Sequence, residues 1–354
     1  MRPAVTPTQR PPDARLLVVS SDGTLAHAPR SYLADYLRRG DLLVANDAAT
    51  IPASLRGVHE RSGAEIEIRL AGRRSLEPDD VQAWTAVAFG AGDHRTLTED
   101  RPPPPELRPG DRLRLGPLDA TVLRRLGHPR LIRVRFDGTP DVIWDGIARH
   151  GRPIQYAHLA APLALWDVWT PVAAVPAALE APSAGFMLDW RLLDQIRLRG
   201  VGFATLTHAA GISSTGDPVL DAKLPLDEPY HISERTVRAI RRARMRCGRI
   251  IAVGTTVTRA LEHAASRAGG IRPGPGLATQ RIGPESTLRV VDTILSGAHE
   301  PGSSHFELLR AFASDPVLER MSAELEGKGY RSHEFGDSVL IEGQTGCQQA
   351  RRAS

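Results

Sequence analysis

The chain has 354 residues, 41% hydrophobic and 24% charged, with a formal net charge of +4. That balance suits a globular protein with a sizeable core and excludes a disordered or collagen-like chain. Only Lys223 and Lys328 among the 45 basic residues are lysine, the skew of a GC-rich genome, so positive charge alone does not argue for a nucleic-acid partner. Two cysteines, Cys247 and Cys347, are too few for a disulfide framework or a thiolate metal site. No stretch approaches the roughly 20 apolar residues of a membrane span, and the Pro-rich start lacks the apolar segment of a secretory signal. The expectation is a cytoplasmic protein with no membrane partner, a monomer being the favoured state.

In chain order, residues 1–14 read as a disordered tail. Residues 15–19 (Arg-Leu-Leu-Val-Val) form a strand, 32–39 a short helix, and 41–45 a second strand that ends in Asn46-Asp47. From 56 to about 141 the texture changes to period-two alternation, clearest in 64–70, 111–115 and 131–136, with Pro and Gly between. This is a small all-β unit, sandwich or barrel, and 101–105 (Arg-Pro-Pro-Pro-Pro) is a stiff connector. Beyond Pro182, helices (190–199, 233–246, 257–268, 306–312, 316–328) alternate with strands (202–206, 249–253, 338–341). The pattern predicts a mostly parallel α/β body over 15–58 and 141–342, with the β domain, 59–140, inserted into it and a disordered tail at 343–354.

The stretch around Gly254 carries most chemistry. Four apolar residues, Ile250-Ile251-Ala252-Val253, make a buried strand, Gly254 allows a tight exit, and Thr255 and Thr256 are placed to cap the orphan N–H groups of the next helix. Such a helix start also attracts anionic ligand groups. Arg238, Arg241, Arg242, Arg244 and Arg246 cover several faces of one helix, which suits phosphate contact but, in so arginine-rich a chain, reads first as a solvated face.

Four segments occur in an order and spacing with a known counterpart. They are Asp41-Leu42-Leu43-Val44-Ala45-Asn46-Asp47 with Ile51-Pro52-Ala53; Ala181-Pro182-Ser183-Ala184-Gly185; Ala252-Val253-Gly254-Thr255-Thr256-Val257-Thr258-Arg259-Ala260-Leu261-Glu262; and Tyr330-Arg331 with Phe335-Gly336-Asp337. Over about residues 15–341 the chain resembles the S-adenosylmethionine:tRNA ribosyltransferase-isomerases of queuosine biosynthesis. The resemblance implies an α/β-barrel-like body carrying an inserted small all-β barrel. It also implies a metal-free reaction in which S-adenosyl-L-methionine is co-substrate: its ribosyl part passes to 7-aminomethyl-7-deazaguanine in a tRNA and rearranges, with adenine and methionine leaving.

That chemistry requires a base near the sulfonium-activated C5′ protons, a proton for the leaving adenine, and a grip on the methionine carboxylate. Glu180 is a candidate base or sulfonium partner, and His208 and His299 are candidate bases by their intrinsic pKa. Thr255, Thr256 and Arg259, with Gly254, fall to the methionine carboxylate, and Asn46 and Asp47 to a ribose or purine edge. Tyr156, Pro182, Ser183, Ala184, Gly185, Glu228, Tyr230, Ser303 and Asp337 complete the expected substrate-binding set.

The departures from the family pattern are as specific as the matches. Tyr156 alone survives cleanly from a Pro-Pro-Tyr and Tyr-Gln region, and Glu180 stands where alanine is usual. The histidine of a Thr-Leu-His-Val-Gly strand appears one position late, as His208, which turns it to the other face unless a bulge intervenes. A two-histidine cluster before Glu228 and Tyr230 is absent. Of a Thr-Asn-Phe-His-x-Pro-Lys-Ser-Thr segment only His299, Pro301 and Ser303 persist. These losses sit where the acceptor would be held. Two further readings therefore stand beside transfer to tRNA: a paralogue that uses S-adenosylmethionine with a small-molecule acceptor, and a non-catalytic nucleotide- or RNA-binding paralogue.

Overall fold

The computed structural model describes residues 1–343 except 94, 157 and 160. Its body is a nine-stranded sheet in the order Gly274–Ala278, Glu228–Ile232, Gly202–His208, Leu42–Asn46, Ile250–Val253, Thr293–Gly297, Ser338–Glu342, Arg15–Val19, Leu25–Pro29. Strands 42–46 and 250–253 are buried throughout and apolar but for Asn46, as central strands covered on both faces must be. Alternate residues of each strand feed two cores. Leu17, Val44, Ala252 and Ile294 pack with helices Glu234–Met245, Thr255–Ser266 and Asp315–Gly327 on one face. Leu16, Leu43, Ile251 and Leu295 pack with helix Trp190–Leu198 on the other.

The expectation of a mostly parallel sheet is corrected. Strands 202–208, 42–46, 250–253 and 293–297 run parallel, and so do 338–342 and 15–19, but 228–232, 274–278, 338–342 against 293–297, and 25–29 all pair antiparallel. Antiparallel edge strands and the adjacent pair 338–342 and 15–19, which runs against the four central strands, give a mixed sheet.

The all-β insertion closes into a six-stranded antiparallel barrel, in the order Leu118–His128, Leu131–Phe136, Ala83–Phe89, Ala64–Gly72, Ser54–His59, Arg112–Leu115. Its first strand begins at Ser54. Helix Pro140–His150 caps it, placing Ile143 and Ile147 in the barrel core, where Trp84 is fully buried.

The expectation of a disordered 1–14 segment also fails. Arg2–Pro3 pairs in parallel with Arg331–Ser332, and Ala4 is buried. The Gln9 amide donates to the carbonyls of Asp167 at 3.0 Å and Trp169 at 2.8 Å. At the other end the Gly343 N–H donates to the Asp292 carbonyl at 2.8 Å, and the rest of the expected 343–354 tail lies outside the described residues. No helix among the described residues is long and apolar enough to cross a membrane.

Candidate active site

A cavity of about 670 Å³ opens at the carboxyl ends of the parallel strands, where residues that follow strands 250–253 and 293–297 line it. Both the position and the volume are those of a small-ligand site in an open α/β sheet.

One wall is the start of helix Thr255–Ser266. Gly254 has φ +94° and ψ 163°, a region essentially restricted to glycine, and a Cβ there would stand 3.3 Å from the Ala184 Cβ. The Gly-Thr-Thr corner and the 181–184 loop thus meet at van der Waals distance and line the same cavity. The expected threonine caps are absent: the N-cap is Gly254, and no side chain caps the first turn. Thr256 Oγ1 instead accepts from Asn46 Nδ2 at 3.4 Å. The uncapped turn leaves its N–H groups and partial positive charge at the cavity.

Another part of the lining is acidic and imidazole-rich. Strand Val175–Ala178 pairs with Ala48–Thr50 and delivers Glu180, whose backbone N–H donates to the Ala210 carbonyl at 3.2 Å. The Glu180 carboxylate is buried and accepts from Ser213 Oγ at 2.6 Å and Ser213 N at 3.1 Å. Burial dominates its titration and pushes it up to about 8, with nearby Glu334 adding to the shift and the Ser213 bonds opposing it. Burial likewise raises Glu334 and, well above the phenol range, Tyr156, which faces both carboxyls. His299 stacks on His305 with ring centroids 4.5 Å apart, and burial holds His299 well below the ordinary histidine value and His305 down at about 4. Both imidazoles are therefore neutral at physiological pH.

The cavity lining also holds a buried ion pair. Arg259 Nη1 donates to Glu228 Oε2, while its Nη2 donates to the carbonyls of Leu226, Ala278 and Gln280 at 3.2, 3.1 and 3.2 Å. Glu228 Oε1 accepts from the Gly211 N–H at 2.7 Å, which pins the loop that carries Ser213. Burial raises the Glu228 carboxyl against the pull of Arg259. The guanidinium is thus largely committed to its own protein, and the uncapped helix turn is the freer anion site of the two.

Of the expected residues, Tyr156, Glu180, Pro182, Ser183, Ala184, Glu228, Gly254, Thr255, Thr256, Arg259, His299 and Ser303 share the cavity lining. Gly185 lies just behind the loop, against Thr170. His208 does not reach the cavity: strand 202–208 pairs with 42–46 with no bulge to restore its aim, and the buried ring faces Glu228, with Nε2 3.4 Å from Oε2. Asn46 is a brace beneath the site, bonded to the backbone of His208 and Ala48. Asp47 accepts from Thr207 Oγ1 at 2.7 Å. Tyr230 lines a separate groove, where its hydroxyl bonds His263 Nδ1 at 2.9 Å. Asp337 is fully enclosed and accepts from Arg15 and Arg331, stitching the first sheet strand to the 331–337 turn. Reasoning from sequence missed Ser213, His305 and Glu334. The last two sit inside stretches where only the flanking Ser303, Phe335 and Asp337 were legible.

Fold and cavity together define an α/β protein built to enclose a small ligand with an anionic end and a cationic or proton-exchanging centre. The family described as "Queuosine biosynthesis protein" matches residues 2–341. The chain is 34% identical over 340 residues to the S-adenosylmethionine:tRNA ribosyltransferase-isomerase of Pelobacter propionicus, covering 93% of each. It is 34% identical over 365 residues to that of a Methylobacterium species, covering 96% of this chain and 94% of the relative. For an Azoarcus species the identity is 35% over 338 residues, with 93% and 90% covered. A solved S-adenosylmethionine tRNA ribosyltransferase from Thermotoga maritima aligns over 96% of this chain and 95% of its own, with 25% identity and a TM-score of 0.49. The chain belongs to the queuosine biosynthesis protein family.

Proposed function

We propose that this protein is a ribosyltransferase-isomerase that takes S-adenosylmethionine as donor and the 7-aminomethyl-7-deazaguanine of a tRNA as acceptor. Its named relatives, similar over more than 90% of the chain, support donor and acceptor alike. The observation that carries the reading is the meeting of the uncapped helix start with the 181–184 loop in one cavity of about 670 Å³. The helix turn, with Thr255 and Thr256, binds the methionine carboxylate through N–H and hydroxyl groups. His299, neutral in the wall, takes the C5′ proton that the sulfonium acidifies. Glu180, protonated near neutral pH, donates to adenine as its bond to C1′ breaks, and the acceptor amine attacks as the free base. Methionine leaves as the C5′–S bond breaks and its sulfur keeps the bonding pair; C5′ and the attacking amine each give up one proton and adenine takes one, so one proton passes to solvent as the sulfonium charge is discharged, and no step needs an oxidant. A monomer is the favoured state, and with tRNA as acceptor the place of action is the cytoplasm.

The test has two arms. Calorimetric titration with S-adenosylmethionine should show saturable binding, and adenine should appear on chromatography only when tRNA bearing the deazaguanine is added. No binding at millimolar donor removes every reading that shares the donor, leaving the non-catalytic paralogue. Binding with adenine release driven by a small amine, but not by tRNA, moves the acceptor to a small molecule.

A further inference from the structure

His158, His333 and Glu334 converge from two segments far apart in sequence. The two imidazoles stack with centroids 4.6 Å apart and planes 25° from parallel. His158 Nε2 lies 3.6 Å from Glu334 Oε2, and one ligand-type atom from each of the three residues lies within 4.8 Å of the others. His158 Nε2 and Glu334 Oε2 are both buried and have no hydrogen-bond partner among the described residues. His333 holds φ at +68°, a left-handed conformation that a histidine adopts at a cost. Two buried polar atoms that face each other unsatisfied, beside a second imidazole on a strained turn, form an arrangement that a cation would complete.

We propose that His158, His333 and Glu334 bind one divalent transition-metal ion, with zinc the best fit. Two imidazole nitrogens and a carboxylate oxygen are donors that zinc accepts at about 2.0–2.2 Å, which sets tetrahedral donors about 3.4 Å apart. The 3.6 Å pair already has that spacing, and the remaining donor, within 4.8 Å, closes by at most about 1.4 Å. With no cysteine in the set, a soft monovalent ion such as Cu(I) is disfavoured. The ion ties the segment of Tyr156 and His158 to that of His333 and Glu334, and Tyr156 and Glu334 both line the cavity. Its role is to fix that wall. It takes no part in the transfer chemistry, and the proposal stands apart from the identity of donor and acceptor.

The test uses the full chain, stripped with a chelator and titrated with ZnCl2 by calorimetry, with bound metal counted by mass spectrometry and Co2+ as a spectroscopic probe. One equivalent per chain should bind with a micromolar or lower Kd, and Co2+ should give the visible d–d bands of a four-coordinate site. His158→Gln and Glu334→Gln should each weaken zinc at least tenfold. His333→Asn, which tolerates the left-handed backbone, should do the same, and circular dichroism of each variant confirms folding. Uptake below one equivalent, or uptake that all folded variants retain, overturns the proposal.

Discussion

Replacing Glu180 by glutamine removes a carboxyl whose charge the fold resists, and the consequence is a stability difference that grows with pH. Burial raises Glu180 from an ordinary 4.5 to about 8. Between those values the folded chain holds a proton that the unfolded chain has lost, so stability falls as pH rises through that window. At pH 5.5 the folded state keeps about two-thirds of its full protonation advantage, and at pH 8 less than about a tenth. At 1.36 kcal/mol per unit, the loss attributable to Glu180 between these two pH values is about 3 kcal/mol. Glutamine is nearly isosteric and its amide oxygen can still accept from Ser213, so Glu180→Gln should match wild type only below about pH 4.5, with its advantage growing from about 1.4 kcal/mol at pH 5.5 to about 4.4 kcal/mol at pH 8. Urea unfolding of both proteins at several pH values, with chelator present, measures the difference directly. Parallel curves across that range would show that Glu180 ionises freely and would remove it as a proton donor near neutrality. The same variant should lower turnover at least tenfold, because an amide has no acidic proton to give.

Gly254→Ala should cost about 1–3 kcal/mol from its Gly-only backbone region and weaken S-adenosylmethionine at least tenfold by pushing on Ala184, and an unchanged Kd by calorimetry would sever the loop–helix contact from donor binding. Arg259→Met leaves the Glu228 carboxylate buried with the Gly211 N–H as its remaining partner, so a loss of about 3–5 kcal/mol is expected in urea unfolding. The double change Arg259→Met with Glu228→Gln should recover part of it, and a single-variant loss under about 1 kcal/mol would contradict the buried-pair account. His299→Ala should reduce turnover at least tenfold while donor binding persists, and an unaltered rate excludes this imidazole as the base.

How much was legible beforehand depended on whether the signal was local. The run Ile250-Ile251-Ala252-Val253 is a buried strand wherever it is met, and the period-two segments at 64–70 and 131–136 announced barrel walls because every second side chain must face a closed interior. The direction of edge strands was not local. Leu25–Pro29 and Gly274–Ala278 are short, Gly- or Pro-bearing and only partly buried, and distant partners fix their pairing. Order at 1–14 likewise rests on backbone pairing with 331–332 and on one glutamine amide, contacts that leave no periodicity. In the site, Glu180 was visible as an oddity beside a proline loop, but its enclosure by Ser213 depends on the Gly211 anchor supplied by Glu228. His208 showed its displacement in sequence, and only the unbulged ladder fixed where the ring went.

The cavity lining is chemically asymmetric. At one wall recognition is carried by backbone: a helix N-terminus, a glycine in a region closed to other residues, and a loop in contact with it. Backbone donors need only a fold and a few small residues, so such a wall persists when side chains change. Elsewhere in the lining stand Glu180, Glu334, His299 and His305, groups whose protonation depends on burial and on their neighbours. A single substitution there changes which proton sits where, and thus what the wall can hold. The Gly-Thr-Thr and Ala-Pro-Ser-Ala-Gly motifs lie on the backbone part of the lining, while the titratable part holds both a retained residue, His299, and a departure, Glu180.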